Sequence, residues 1–120
     1  MTTLFVYGTL KRGGSNHAFL SGQKFLGVAH TPPGFTLFSL GAYPGMIPSP
    51  DDREGVLGEL WSVDDACLAK LDELEGLAEG LYRRAAIPLA PPPSNLATVE
   101  TYFYLRDLTD RAHIGSHWPV

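Results

Sequence analysis

The sequence predicts an α+β domain, a small mixed and mostly antiparallel β-barrel of about six strands with flanking helices. Three observations predict it. Short apolar or alternating runs recur along the chain, each closed by turn-forming residues. The 13 Gly and 10 Pro in 120 residues imply many turns and short strands. Helical spacing is confined to a short segment at His17 and a longer one from Asp64. A chain of 120 residues fits a single domain, 1–120, large enough to bury a core without metal or disulfide support.

Each element follows from local chemistry. Leu4-Phe5-Val6-Tyr7 is an unbroken apolar run and reads as a strand buried on both faces. The stretch Gly8–Asn16 is polar and Gly-rich, and Ser15 or Asn16 can cap a short helix over His17–Leu20. Lys24–His30 reads as a strand stopped by Thr31-Pro32-Pro33-Gly34, and Phe35–Phe38 as the next. Met46-Ile47 is a short strand at most, and Gly55–Ser62 is a clear one. Asp64-Asp65 starts a helix that runs to about Glu75, where Gly76 stops it. Tyr82–Leu89 and Thr98–Leu105 are strands joined by a stiff surface loop, Ala90–Asn95. The stretch through His113 to Val120 reads as irregular.

Composition narrows the function. With 44% apolar and 18% charged residues the chain is globular rather than disordered. The net charge of -4 and the lack of a basic block exclude nucleic acid as a main partner. No apolar run approaches the roughly 18 residues of a membrane span. The N-terminus has no signal-peptide layout, and the single cysteine, Cys67, suits a reducing compartment, so a cytoplasmic location is expected. His17, His30, His113 and His117 lack metal-ligand spacing, and no metal or cofactor is expected. Nothing in the sequence indicates the oligomeric state.

Two places carry chemistry. Gly8 and Gly13 have the spacing of a phosphate loop's glycines, but Gly14-Ser15 stands where that loop needs its lysine. A buried strand ending in Tyr7-Gly8-Thr9-Leu10, followed by a loop and a helix start, leaves backbone N–H groups unpaired at one edge. Such groups bind carboxylates and oxyanions without a side-chain charge. A missing Cβ at Gly8 permits close approach of a ligand; the plainer reading is a turn glycine.

The second place is Glu75. Cys67, Leu68, Leu71 and Leu74 form the apolar face of the helix. At about 100° per residue, Glu75 lies roughly 50° from the centre of that face, and Asp72 and Glu73 more than about 110° away. Asp72 and Glu73 are then solvated acids, whereas Glu75 faces inward near the helix C-terminus. Burial and the dipole both raise its pKa, which suits a general acid/base near neutral pH. The alternative is a boundary glutamate paired with Arg83 or Arg84.

Taken together, Phe5-Val6-Tyr7-Gly8-Thr9-Leu10-Lys11-Arg12-Gly13 with Asn16-His17, Gly58-Glu59-Leu60-Trp61, and Leu71-Asp72-Glu73-Leu74-Glu75-Gly76 resemble the gamma-glutamylcyclotransferase-like family. The likeness is nearest to its gamma-glutamylamine cyclotransferase branch and extends to Tyr82, Arg84 and Phe103-Tyr104. The resemblance implies a substrate cavity lined by Tyr7, Gly8, Thr9 and Leu10, largely through backbone atoms, and Glu75 as the catalytic acid/base. It implies a cofactor-free reaction in which a gamma-glutamyl amine or gamma-glutamyl amino acid cyclises to 5-oxoproline. Tyr82 and Tyr104 are candidate hydroxyl donors to that substrate, Tyr43 a weaker one; buried sheet aromatics with satisfied hydroxyls are the alternative. Two other functions fit the same cavity: a non-catalytic small-molecule binding module, and a biosynthetic enzyme that removes a gamma-glutamyl group.

Overall fold

A computed structural model describes residues 1–92 and 98–120. Five strands form one sheet: β1 (Thr2–Val6), β2 (Lys24–His30), β5 (Leu57–Val63), β6 (Tyr82–Ala86) and β7 (Val99–Tyr104), in the order β2-β5-β1-β7-β6. β1 lies at its centre, antiparallel to β5 and parallel to β7, so the sheet is mixed. Three more strands form a second sheet: β3 (Phe35–Ser39), β4 (Pro44–Pro48) and β8 (His113–Gly115), in the order β4-β3-β8. Among the described residues there are also one α-helix, α1 (Asp65–Leu74), and one 3-10 turn, His17–Leu20.

The apolar run in β1 has the cause the sequence suggests: both faces are covered. Leu4 and Val6 join Trp61, Val63 and Leu71 in a core beneath α1. Phe5 and Tyr7 point the other way, into a core with Leu37 and Met46 of the second sheet and Phe103 of β7. β7 shows the same alternation, with Val99 and Phe103 on the second-sheet side and Tyr102 and Tyr104 on the helix side.

The α+β, mostly antiparallel architecture is as expected, but the described residues make eight strands rather than about six, arranged in two sheets. Met46-Ile47 belongs to a full five-residue strand, and Met46 is completely buried. The prolines that bound β4 mask it in the sequence, because proline is confined to strand ends and edges. The final stretch is not all irregular: β8 pairs with β3 through Leu37 and Gly115. β6 ends at Ala86 rather than Leu89, although Ile87 still donates to the Val99 carbonyl. Asn16 occupies the N-cap of the 3-10 turn without capping it; its amide binds Thr9 Oγ1 instead. Of the predicted loop Ala90–Asn95, residues 93–95 lie outside the described residues, while Ala90 N–H donates to the His30 carbonyl. Among the described residues no helix is long and apolar enough to cross a membrane.

The two ends of α1 are fixed by different bonds. Asp64 caps the start, its carboxylate accepting the Cys67 N–H at 2.7 Å. At the other end Gly76 N–H donates to the Glu73 carbonyl and Leu77 N–H to the Asp72 carbonyl, the paired bonds of a Schellman motif. Gly76 takes φ 66°, the left-handed conformation this motif needs. Leu77 packs back on the core that holds Leu71, as the motif's hydrophobic contact requires. Glu75 is therefore the C-cap itself, held where the chain leaves the helix axis.

Candidate active site

A cavity of about 210 Å³ opens beside the end of β1. It is lined by Tyr7, Gly8, Thr9, Leu10 and Asn16 with Phe5 and Val6 of β1, by Glu75, Tyr82 and Tyr102, and by Tyr43, Pro44, Leu74 and Leu81. Glu75 is the one charged residue in that lining among the described residues.

The loop after β1 has a consistent asymmetry. Its carbonyls are occupied: Gly8 O accepts Lys11 N–H at 3.1 Å, and Thr9 O accepts Asn16 N–H at 2.9 Å. Leu10 O lies 2.9 Å from His17 Nδ1, a contact that bonds when the proton sits on that nitrogen. The N–H groups of Gly8, Thr9 and Leu10 have no acceptor among the described residues. Three donors without partners beside a cavity form a place for an anionic or carbonyl oxygen.

The flanking basic residues hold this loop rather than serve a ligand. Lys11 is buried, its Nζ donates to the Trp118 carbonyl at 2.6 Å, and burial pushes its pKa below the ordinary value. Arg12 donates from its backbone N and Nε to the two carboxylate oxygens of Glu59, each at 3.0 Å, and stacks over Phe25. Burial works to raise the Glu59 carboxyl, but Arg12 and the Trp61 indole hold it below the usual range.

Gly8 has a different reason from turn freedom. A Cβ there would stand 2.7 Å from Pro44 Cγ and 2.8 Å from Cδ. The missing side chain lets β4 close against the loop and form the cavity wall, and the expected close approach is made first of all by Pro44.

Glu75 is inward-facing, as helix geometry requires. It forms no salt bridge among the described residues; Arg84, a proposed partner, pairs instead with Asp72 and Glu100. Burial pushes the Glu75 pKa up from 4.5 to about 7. Asp72 is not the solvated acid its helical angle suggests, since it accepts from Arg84 and from the Tyr102 hydroxyl. Leu74, assigned to the apolar face, is 37% exposed because it sits at the helix end on the cavity rim.

A raised carboxyl pKa has a measurable cost. The folded protein holds the Glu75 proton where the unfolded chain has lost it, so its contribution to stability falls as pH rises from 4.5 to about 7. That interval converts to a penalty on the order of 3 kcal/mol above pH 7. Urea unfolding of Glu75→Gln beside the parent is expected to show a variant more stable at pH 8, with the advantage shrinking toward pH 4.5. Equal stability at both pH values would contradict the burial of an ionisable Glu75.

The tyrosines divide. The Tyr7 hydroxyl donates to the Tyr102 carbonyl at 2.6 Å and accepts Met46 N–H, and the Tyr82 hydroxyl donates to the Pro44 carbonyl at 2.7 Å. Both rings line the cavity while both hydroxyls tie its walls together. Tyr104 is not in the lining; it packs edge-on behind Tyr82 with ring centroids 5.2 Å apart. The hydroxyl-donor expectation for Tyr82 and Tyr104 is thus not what this geometry offers. Asn16, Pro44 and Tyr102 are wall residues that the sequence did not single out as such; the alternating aromatics of β7 were the one available hint for Tyr102.

Residues 4–119 match the family described as gamma-glutamyl cyclotransferase, AIG2-like. A Vibrio cholerae protein with the provisional name of gamma-glutamylcyclotransferase is 44% identical over 84 residues, covering 70% of each chain. The gamma-glutamylaminecyclotransferase of Rattus norvegicus is 36% identical over 94 residues, covering 72% of this chain and 62% of the rat protein. The crystal structure of an AIG2-like protein from Mus musculus superposes with a TM-score of 0.79 at 27% identity, covering 98% of this chain and 88% of that one.

Proposed function

We propose that this chain, which belongs to the gamma-glutamyl cyclotransferase, AIG2-like family, converts a gamma-glutamyl amide to 5-oxoproline and a free amine, with Glu75 as the general acid/base. The observation that carries the proposal is the pairing of an inward carboxyl of pKa about 7 with three N–H groups that have no acceptor among the described residues, beside one small cavity.

The steps balance within the substrate and Glu75. The substrate's α-ammonium gives a proton to the Glu75 carboxylate. The freed amine attacks the γ-carbonyl carbon and closes a five-membered ring, and the N–H groups at Gly8–Leu10 hold the substrate and steady the developing oxyanion. Glu75 returns its proton to the amide nitrogen, the oxyanion collapses to the lactam carbonyl as the carbon–nitrogen bond breaks, and the second proton of the ring nitrogen passes through the Glu75 carboxylate to the released amine, which leaves as its ammonium. The nucleophile is the substrate's own, so Cys67, buried on the helix, has no part in it. Holding the amine against its carbonyl contributes about 7 kcal/mol or more in well-oriented cases.

The lining also bears on the leaving group. Glu75 must approach the scissile nitrogen, and in a gamma-glutamyl amino acid the leaving carboxylate hangs on the carbon next to that nitrogen. Two negative charges then share a cavity whose described lining holds no cation. This favours gamma-glutamyl amines over gamma-glutamyl amino acids, in keeping with the name of the rat relative. In a panel assayed for 5-oxoproline, gamma-glutamyl-n-butylamide is expected to exceed gamma-glutamylalanine in kcat/KM by about tenfold or more. Parity or the reverse order would refute the amine preference. Binding of the panel without turnover would favour the non-catalytic module, and free glutamate as product would favour a gamma-glutamyl-removing hydrolase.

A further inference from the structure

The last turn of α1 carries an ion network that the proton transfers do not use. Asp72 stands three residues before Glu75, in the same turn, and its carboxylate is fully engaged. Oδ1 accepts Arg84 Nε at 3.0 Å and the Tyr102 hydroxyl at 2.7 Å, and Oδ2 accepts Arg84 Nη2 at 3.1 Å. Arg84 then reaches Glu100 through Nη1 at 2.7 Å. Arg84 sits on β6 and both Glu100 and Tyr102 on β7, with Arg84 and Tyr102 directly paired in the ladder. The three ionic side chains, Arg84, Asp72 and Glu100, are only 24%, 25% and 29% exposed.

Helix electrostatics argue that this arrangement is not there for the helix's own sake. Asp72, Glu73 and Glu75 crowd three carboxyls into its C-terminal end, where the dipole disfavours negative charge. A bidentate arginine is a strong and directional tie, and it holds its partners in one geometry. The tie is made at the cavity: Tyr102 lines it, and the Tyr102 carbonyl accepts the Tyr7 hydroxyl from β1. One chain of contacts therefore links the turn that bears Glu75 to the sheet that bears the N–H cradle.

We infer that Asp72 and Arg84 form a positioning pair that sets the Glu75 carboxyl over the reacting atoms. Neither touches the substrate; they act by fixing the helix end against β6 and β7. The inference rests on the role of Glu75 proposed above. A displacement of about 1 Å at a proton-transfer group costs on the order of a hundredfold in rate. A positioning role therefore predicts a loss in kcat, not in binding.

Asp72→Ala, Arg84→Lys and the parent are compared well below the unfolding temperature, with circular dichroism establishing the fold. Asp72→Ala is expected to lower kcat for 5-oxoproline release by about ten- to a hundredfold with KM within about threefold. Arg84→Lys, which keeps the charge but loses the fork, is expected to fall between it and the parent; it also serves if Asp72→Ala does not fold. Amide exchange gives a readout independent of turnover: protection at Glu75 and Leu77 should drop about tenfold or more in Asp72→Ala while the first turn of α1 is unchanged. A variant that melts earlier but keeps the parent's kcat, or one whose loss lies in KM, overturns the inference while the function stands. If the parent releases no 5-oxoproline, the cyclisation reading falls, and unchanged exchange at Glu75 and Leu77 then overturns the anchoring itself.

Discussion

Glu75→Gln is expected to lower kcat for 5-oxoproline formation by about a hundred- to ten thousandfold while leaving KM within a few-fold. Glutamine keeps the size of the side chain and its place at the helix C-cap. It removes the one group in the described lining that can take a proton from the substrate's ammonium near pH 7. The substrate's γ-glutamyl group still meets the N–H cradle, so binding survives. The variant also loses a carboxylate that is costly to bury, so a drop in activity accompanied by greater stability at pH 8 separates lost chemistry from lost fold. A variant as active as the parent would remove Glu75 from the mechanism.

The second large effect is expected from the cradle. Gly8→Val places a branched side chain where even a Cβ stands 2.7 Å from Pro44. Pro44 opens β4 and its carbonyl takes the Tyr82 hydroxyl, so the wall has no loose end to give. The expected result is a fall in kcat/KM of about a hundredfold or more with a destabilisation of about 1–3 kcal/mol. Kinetics and urea unfolding on one preparation check both figures. Full activity in Gly8→Val would show that the Gly8 loop and β4 need not close on one another.

How far the sequence revealed this site depends on the range of the interaction concerned. Much of what is set within one turn of helix or one strand was legible. The unbroken run Leu4–Tyr7 announces a strand covered on both faces, Asp64 announces the helix start, and Gly76 its end. The angular position of Glu75 follows from the same periodicity, so its inward aim was accessible without any tertiary contact. Interactions that cross the fold were not. Asp72 falls on the outward face by angle, yet β6 and β7 bring Arg84 and Tyr102 to it. The hydroxyls of Tyr7 and Tyr82 are committed to backbone groups far along the chain, at Tyr102, Met46 and Pro44. The strand β4 was concealed by the prolines at its ends, and with it the wall that explains Gly8.

The same distinction bears on function. The loop after β1 is intelligible as an oxygen-binding edge because its carbonyls are spent on Lys11, Asn16 and His17, while its N–H groups have no acceptor among the described residues. That accounting requires the folded structure, although the sequence Tyr7-Gly8-Thr9-Leu10 indicates where to look. Glu75 is the other half of the proposed site, and the two halves line one cavity.

The identity of the products separates cyclisation from hydrolysis. The protein is incubated with gamma-glutamyl-n-butylamide across pH 5–9, and the products are identified by proton NMR. Cyclisation through Glu75 predicts 5-oxoproline and butylamine in equal amounts, with the acid limb of kcat/KM near the Glu75 pKa of about 7. Free glutamate in place of 5-oxoproline would show that water, not the substrate's own amine, attacks the carbonyl, and would contradict the account.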